Sequence, residues 1–92
     1  MTARVSEMND AYSQIIVNRI TALCRSRGIS VNRLAEMSGV SESTLDNLIN
    51  RKTFNPKIKT LHKVAIAFNM TLAEFLDFPA LNDYSFEDQS DD

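Results

Sequence analysis

Ninety-two residues suffice for one domain, since separate hydrophobic cores usually need on the order of 100 residues each. The one cysteine, Cys24, and the one histidine, His62, exclude an internal disulfide and cannot supply the three or four ligands of a zinc site, so no cofactor or metal is expected. A formal charge of -2 argues against a polyanionic partner until the charges are placed: residues 11–78 hold nine Lys/Arg against five Asp/Glu, whereas residues 79–92 hold five acids and no base.

The longest unbroken apolar run, around Val64 to Phe68, is far shorter than the ~20 residues that cross a membrane. The N-terminus has no basic stretch followed by an apolar segment and a cleavage site, so the expectation is a cytoplasmic protein without a membrane association. Residues 1–10 are polar and aperiodic and read as a flexible arm, with Asn9 or Asp10 available to cap a first helix. From about Ala11 to Arg27, Tyr12, Ile16, Ile20 and Leu23 recur at spacings of four, four and three, one face of an α-helix, which Gly28 ends as a left-handed cap. Ser30 suits the N-cap of a short second helix that carries Leu34 and Ala35 inward and stops at Gly39. A third helix begins at Ser41 and closes at Asn50; Leu45, Leu48 and Ile49 keep the apolar spacing while Glu42, Ser43, Asp46 and Asn47 fall on other faces.

Residues 51–57 carry no apolar period, and Pro56 breaks any continuing helix, so they form a loop. A fourth helix follows, with Ile58, Leu61, Val64, Ala65 and Phe68 as its buried stripe, Lys59 and Lys63 outside, and Asn69 as its cap. Thr71 to Glu74 spells a capping box for a fifth helix anchored by Leu72, Phe75 and Leu76. Residues 79–92 form an acidic tail, expected to be partly disordered in isolation because its apolar content is too low to offset the entropy of ordering. The fold class is thus all-α: a compact five-helix domain over residues 11–78 between an arm and a tail.

Two helices that meet steeply across a short turn need a nearly bare residue at closest approach, a glycine where φ turns positive, and apolar residues to pin the second helix on the first. Ala35, Gly39, and Val40, Leu45 and Leu48 supply these in turn. The chain here resembles the Cro and phage-repressor, or Xre-like, helix-turn-helix regulators over about residues 16–78. The likeness is carried by Ile20, Leu23, Gly28-Ile29-Ser30, Leu34-Ala35, Gly39-Val40-Ser41, Thr44-Leu45, Leu48, Asn55-Pro56, Leu61, Val64-Ala65, Phe68 and Leu72.

The resemblance implies a lambda-repressor-like fold and a sequence-specific DNA-binding transcriptional regulator whose third helix enters the major groove of double-stranded DNA. It places Glu42, Ser43 and Asn47, with Thr44 close behind, at base-contacting positions. Asn can bond adenine, Glu can accept from cytosine, and Ser serves several bases. It places Asn32, Ser41, Arg51, Lys52, Thr53 and Lys57 at phosphates. Several positions depart from the pattern. Val31 stands where relatives often have Gln, and Arg51 where they often have Gly, which throws the turn onto a left-handed Asn50. Cys24 and Ile49 replace an Arg and Glu pair, an exchange that costs little when both partners change together.

A single recognition helix reads only a few base pairs, so a homodimer is expected, with Phe75, Phe78 and Leu81 at its interface. The alternative reading of Phe78 is a cover for the bottom of the core. Two acids on the third helix keep a second function class open, a protein-interaction module with an antitoxin-like or other protein partner. An enzyme is not expected, for lack of convergent acid, base and nucleophile groups.

Overall fold

In the computed structural model, residues 2–50 and 55–86 are described, with side chains described from residue 11 onward. Among the described residues six helices follow in order: α1 (Thr2–Arg27), α2 (Val31–Ser38), α3 (Glu42–Ile49), α4 (Ile58–Ala67), α5 (Leu72–Leu76) and α6 (Pro79–Asn82). No strand occurs among the described residues. The five expected helices are present, and two differences are informative.

The first helix begins at Thr2, so the backbone of residues 2–10 is helical where the sequence reading had a flexible arm with a cap at Asn9 or Asp10. An apolar period is a signal of packing, whereas a helix extended from a packed segment needs only the absence of Gly and Pro, and residues 2–10 contain neither. The second difference is α6, a single turn inside the stretch read as tail. Pro79 opens it, its fixed φ suiting the first turn and its missing N–H costing nothing there.

Local chemistry sets the helix ends. Gly28 (φ +67°) and Gly39 (φ +74°) take the left-handed conformation that stops α1 and α2. Asn69 (φ 62°) does the same after α4, with Met70 N–H donating to the Ala65 carbonyl at 2.9 Å and Asn69 N–H to the Ile66 carbonyl at 2.8 Å. Asn50 stays on the right-handed side at φ -87°, so α3 ends without the left-handed turn expected of it. Ser30 and Ser41 each accept from the backbone N–H three residues on. Thr71 and Glu74 form the reciprocal capping box, at 3.0 and 2.8 Å.

The core joins Ile16, Val17, Ile20 and Cys24 of α1 to Leu34 and Ala35, Val40, Leu45 and Leu48, and to Leu61, Val64, Ala65, Phe68 and Phe75. α4 packs against α2 and α5, and α1 against α2, α3 and α6. Ile58, assigned by spacing to the buried stripe, is instead 59% exposed. It is the first residue of α4.

Two arginines of α1 tie the later helices down. Arg19 Nε donates to the Phe75 carbonyl at 2.9 Å and Nη2 to the Glu74 carbonyl at 3.0 Å, while the guanidinium lies 4.8 Å from the Phe78 ring centroid. Arg27 donates to the Phe68 carbonyl at 2.9 Å and lies over the Phe68 ring. In each case a cation meets the negative, C-terminal end of a helix, and the Glu74 carbonyl that Arg19 reaches also accepts from Asp77 N–H at 3.3 Å.

Candidate nucleic-acid interface

The face that α3 offers outward follows from its anchoring. Leu45 and Leu48 are buried and Ile49 packs partly on the core, which turns Glu42, Ser43, Asp46 and Asn47, spaced i, i+1, i+4 and i+5, into solvent on one side. The α2–α3 turn holds this orientation. Gly39 reverses the chain, Val40 N–H donates to Ser38 Oγ at 3.2 Å, and Val40 drops into the core.

The start of α3 carries a cluster of hydroxyls. Ser41 Oγ accepts from Thr44 N–H at 3.2 Å, donates to Thr44 Oγ1 at 2.8 Å and lies 3.4 Å from Ser43 Oγ. Ser41 is thus first a structural cap, and Thr44 is partly engaged by it. Glu42 sits in the first turn of α3, where its charge complements the helix dipole; this gives it a stabilising role independent of any ligand.

The other predicted residues divide as follows. Asn32 is exposed in the first turn of α2, beside Arg33, which pairs with Glu36 at 3.0 Å on the same exposed surface. Lys57 is exposed at the N-cap of α4 and contributes no side-chain acceptor to that helix. Arg51, Lys52 and Thr53 lie outside the described residues. Thr44 and Asn47 share with Lys57 a groove of about 310 Å³, completed by Leu48, Asn55, Pro56 and Thr60. Asn55 and Thr60 are therefore candidate site residues that the sequence reading missed. The signal available was the Pro56 turn, which brings the start of α4 back toward the end of α3.

The proposed interface residues fare differently. Phe75 is completely buried in the core and is not available to a partner, which corrects its placement at a dimer surface. Phe78 is half-buried under Arg19, and Leu81 is half-buried against the core. Among the described residues there is no cluster of His, Cys, Asp or Glu that could hold a metal ion, and no helix long and apolar enough to cross a membrane.

Residues 19–80, about two thirds of the chain and including α2, α3 and the turn between them, match the family model described as the Cro/C1-type HTH DNA-binding domain. The chain belongs to this Cro/C1-type helix-turn-helix family. It is 38% identical over 63 residues to the HTH-type transcriptional regulator SlrR of Bacillus subtilis, covering 67% of this chain and 41% of that protein. It is 33% identical over 67 residues to the HTH-type transcriptional regulator SutR of Escherichia coli, covering 73% of this chain and 37% of that protein. The chain thus spans about two fifths of the length of these curated relatives. No solved structure matches.

The matched residues include α2, α3 and the turn at Gly39, the helix pair and short turn that a helix-turn-helix requires.

Proposed function

We propose that this protein is a sequence-specific transcriptional regulator that acts by binding double-stranded DNA in the cytoplasm rather than by catalysis. The observation that carries the reading is the outward face of α3, where Ser43 and Asn47 stand one turn apart over buried Leu45 and Leu48. The family match and the names of both relatives support it, and they do not favour the alternative of a protein-interaction module.

In this reading Asn47 and Ser43 address base edges, Asn47 through the paired donor and acceptor of its amide. Glu42 discriminates by accepting from cytosine and by repelling misplaced phosphate, and Thr44 borders the contact. Ser41 and Asn32 approach phosphates at the starts of α3 and α2, while Arg51, Lys52, Thr53 and Lys57 follow the backbone. Asn55 and Thr60 extend that track along the groove beside Asn47. Two copies act together, with Phe78 and Leu81 rather than Phe75 at the contact, because one helix per site gives too small a specificity ratio against a genome.

The test is titration of a fluorescent duplex, selected from a random pool, at several salt concentrations. Binding should weaken steeply with salt, each phosphate contact contributing about one unit of slope. Binding that is absent, or indifferent to salt and sequence, overturns the reading.

A further inference from the structure

The hydroxyls of Ser41, Ser43 and Thr44 at the start of α3 lie close together, and their protons can be placed one at a time. A hydroxyl carries one proton and two lone pairs. The Thr44 N–H can only donate, and it donates to Ser41 Oγ at 3.2 Å. Ser41 Oγ donates in turn to Thr44 Oγ1 at 2.8 Å, the ordinary length of an O–H···O bond. The single proton of Ser41 is thus directed at Thr44, and Thr44 Oγ1 already accepts one bond.

What remains is the proton of Thr44 itself. Elsewhere a helical hydroxyl returns its proton to the backbone: Thr21 Oγ1 donates to the Asn18 carbonyl at 3.2 Å and Ser26 Oγ to the Leu23 carbonyl at 3.1 Å. Thr44 makes no such bond among the described residues, and its side chain is exposed. Its proton is therefore directed outward. Ser43 differs, because its Oγ stands 3.4 Å from Ser41 Oγ, beyond the ordinary range for such a bond, which leaves its hydroxyl able to turn and either donate or accept.

The surroundings of Thr44 agree with a donor. It lines the groove of about 310 Å³ that it shares with Asn47, Lys57 and Thr60, and that lining contains no carboxylate. Lys57 makes no side-chain bond to the helix it caps, and its charge favours an acceptor in the groove. An amino group placed against Thr44 would use its second lone pair and leave the proton without a partner once water is excluded, at about the cost of an unmade hydrogen bond.

We propose that Thr44 is a directed hydrogen-bond donor to DNA and that Ser41 is the positioning residue that directs it. The counterpart is an acceptor, either a phosphate oxygen or the acceptor atom of a base edge, and the amino groups of adenine and cytosine are refused at this point. The proposal rests on the DNA-binding reading and sharpens it: Ser41 acts on DNA through Thr44, since its own proton is engaged within the turn. A cap alone requires only an acceptor at the start of α3, which Asp also supplies; Ser adds the donor.

The test compares wild type with Thr44→Val, Thr44→Ser, Ser41→Asp and the double variant Ser41→Asp/Thr44→Val, each checked for its helical fold by circular dichroism. Against a duplex selected from a random pool, Thr44→Val should bind on the order of three- to tenfold more weakly, and Thr44→Ser within about twofold of wild type. Ser41→Asp keeps the cap but turns the Thr44 proton inward, so it should weaken binding more in wild type than in the Thr44→Val background. That coupling should persist at high salt, where the effect of the added charge is screened. Equal losses in the two backgrounds overturn the role of Ser41. The Thr44→Val loss should vanish on a duplex carrying one neutral methylphosphonate if the acceptor is a phosphate, and on one carrying a single base change if it is a base edge; a loss that survives every such substitution overturns the direct contact. In the DNA-free protein the Ser41 hydroxyl proton should exchange with water more slowly than that of Thr44, and equal rates or the reverse order overturn the direction. A wild type that binds no duplex overturns the DNA-binding reading and the contact with it, whereas a wild type that binds and is indifferent to Thr44→Val overturns the contact alone.

Discussion

Asn47 is the side chain on which recognition turns. It is exposed on α3, shares the groove with Lys57 and Thr60, and contributes nothing to the core, so its replacement separates binding from folding. Asn47→Ala should leave the melting transition within about 0.5 kcal/mol of wild type, as surface changes do, while costing roughly 1 to 3 kcal/mol at one base pair and relaxing the preference there. A panel of duplexes with single base changes measures this, and a uniform loss over all of them makes Asn47 a positioning residue instead. Cys24 is the opposite case, a buried thiol of α1 whose burial pushes its pKa up. With even less thiolate than a free cysteine at neutral pH, it should react with a thiol reagent only as fast as the protein opens. Labelling at the rate of a free thiol contradicts that. The sign on stability follows from the raised value: the unfolded thiol ionises first, so the contribution is intact below the ordinary thiol range and is lost as pH climbs from there through the folded value.

At the scale of elements, Arg19 links α1 to the C-terminal end of α5, a helix of five residues too short to persist alone. Arg19→Met keeps most of the stem and removes both hydrogen bonds to the Glu74 and Phe75 carbonyls and the contact with Phe78. It should cost about 1.5 to 3 kcal/mol, whereas Arg27→Met, which loses a single hydrogen bond, to the Phe68 carbonyl, should cost less; urea denaturation ranks the two, and the reverse order contradicts the clamp. Such clamps explain what the sequence hid. Ser30, Gly39, Ser41, Asn69, Thr71 and Glu74 were legible because capping acts between near neighbours, and Leu45 and Leu48 because a helix has a fixed period. The Arg19 contacts join residues more than fifty apart, and nothing local marks them. Ile58 obeyed the period but sits at the helix start, beyond the reach of the packing that period implies. For Asn50, a missing glycine suggested a left-handed turn, yet the helix ends in a right-handed one. Half of the predicted recognition face, Thr44 and Asn47, shares one groove with Lys57, while Asn55 and Thr60 became visible only once the Pro56 turn had a direction.

For the whole molecule, charge is segregated along the chain, with nine Lys/Arg against five Asp/Glu in residues 11–78 and five acids in residues 79–92, while the rings of Tyr12, Tyr84 and Phe86 pack together. The proposed two-fold dimer would set two copies of α3 about one DNA turn, ~34 Å, apart on a palindromic site. Phe78→Asp should then halve the sedimenting mass while circular dichroism still reports a helical fold, and a wild type that sediments as a monomer at high concentration contradicts the dimer. The central claim, that the outward face of α3 reads DNA, is tested most directly by titrating the labelled protein with a selected duplex and following every backbone amide. The largest shifts should fall on residues 41 to 47, with a second set at 55 to 60, and the α5–α6 surface should move only where copies meet. Shifts concentrated on α5 and α6 with α3 unmoved would contradict it.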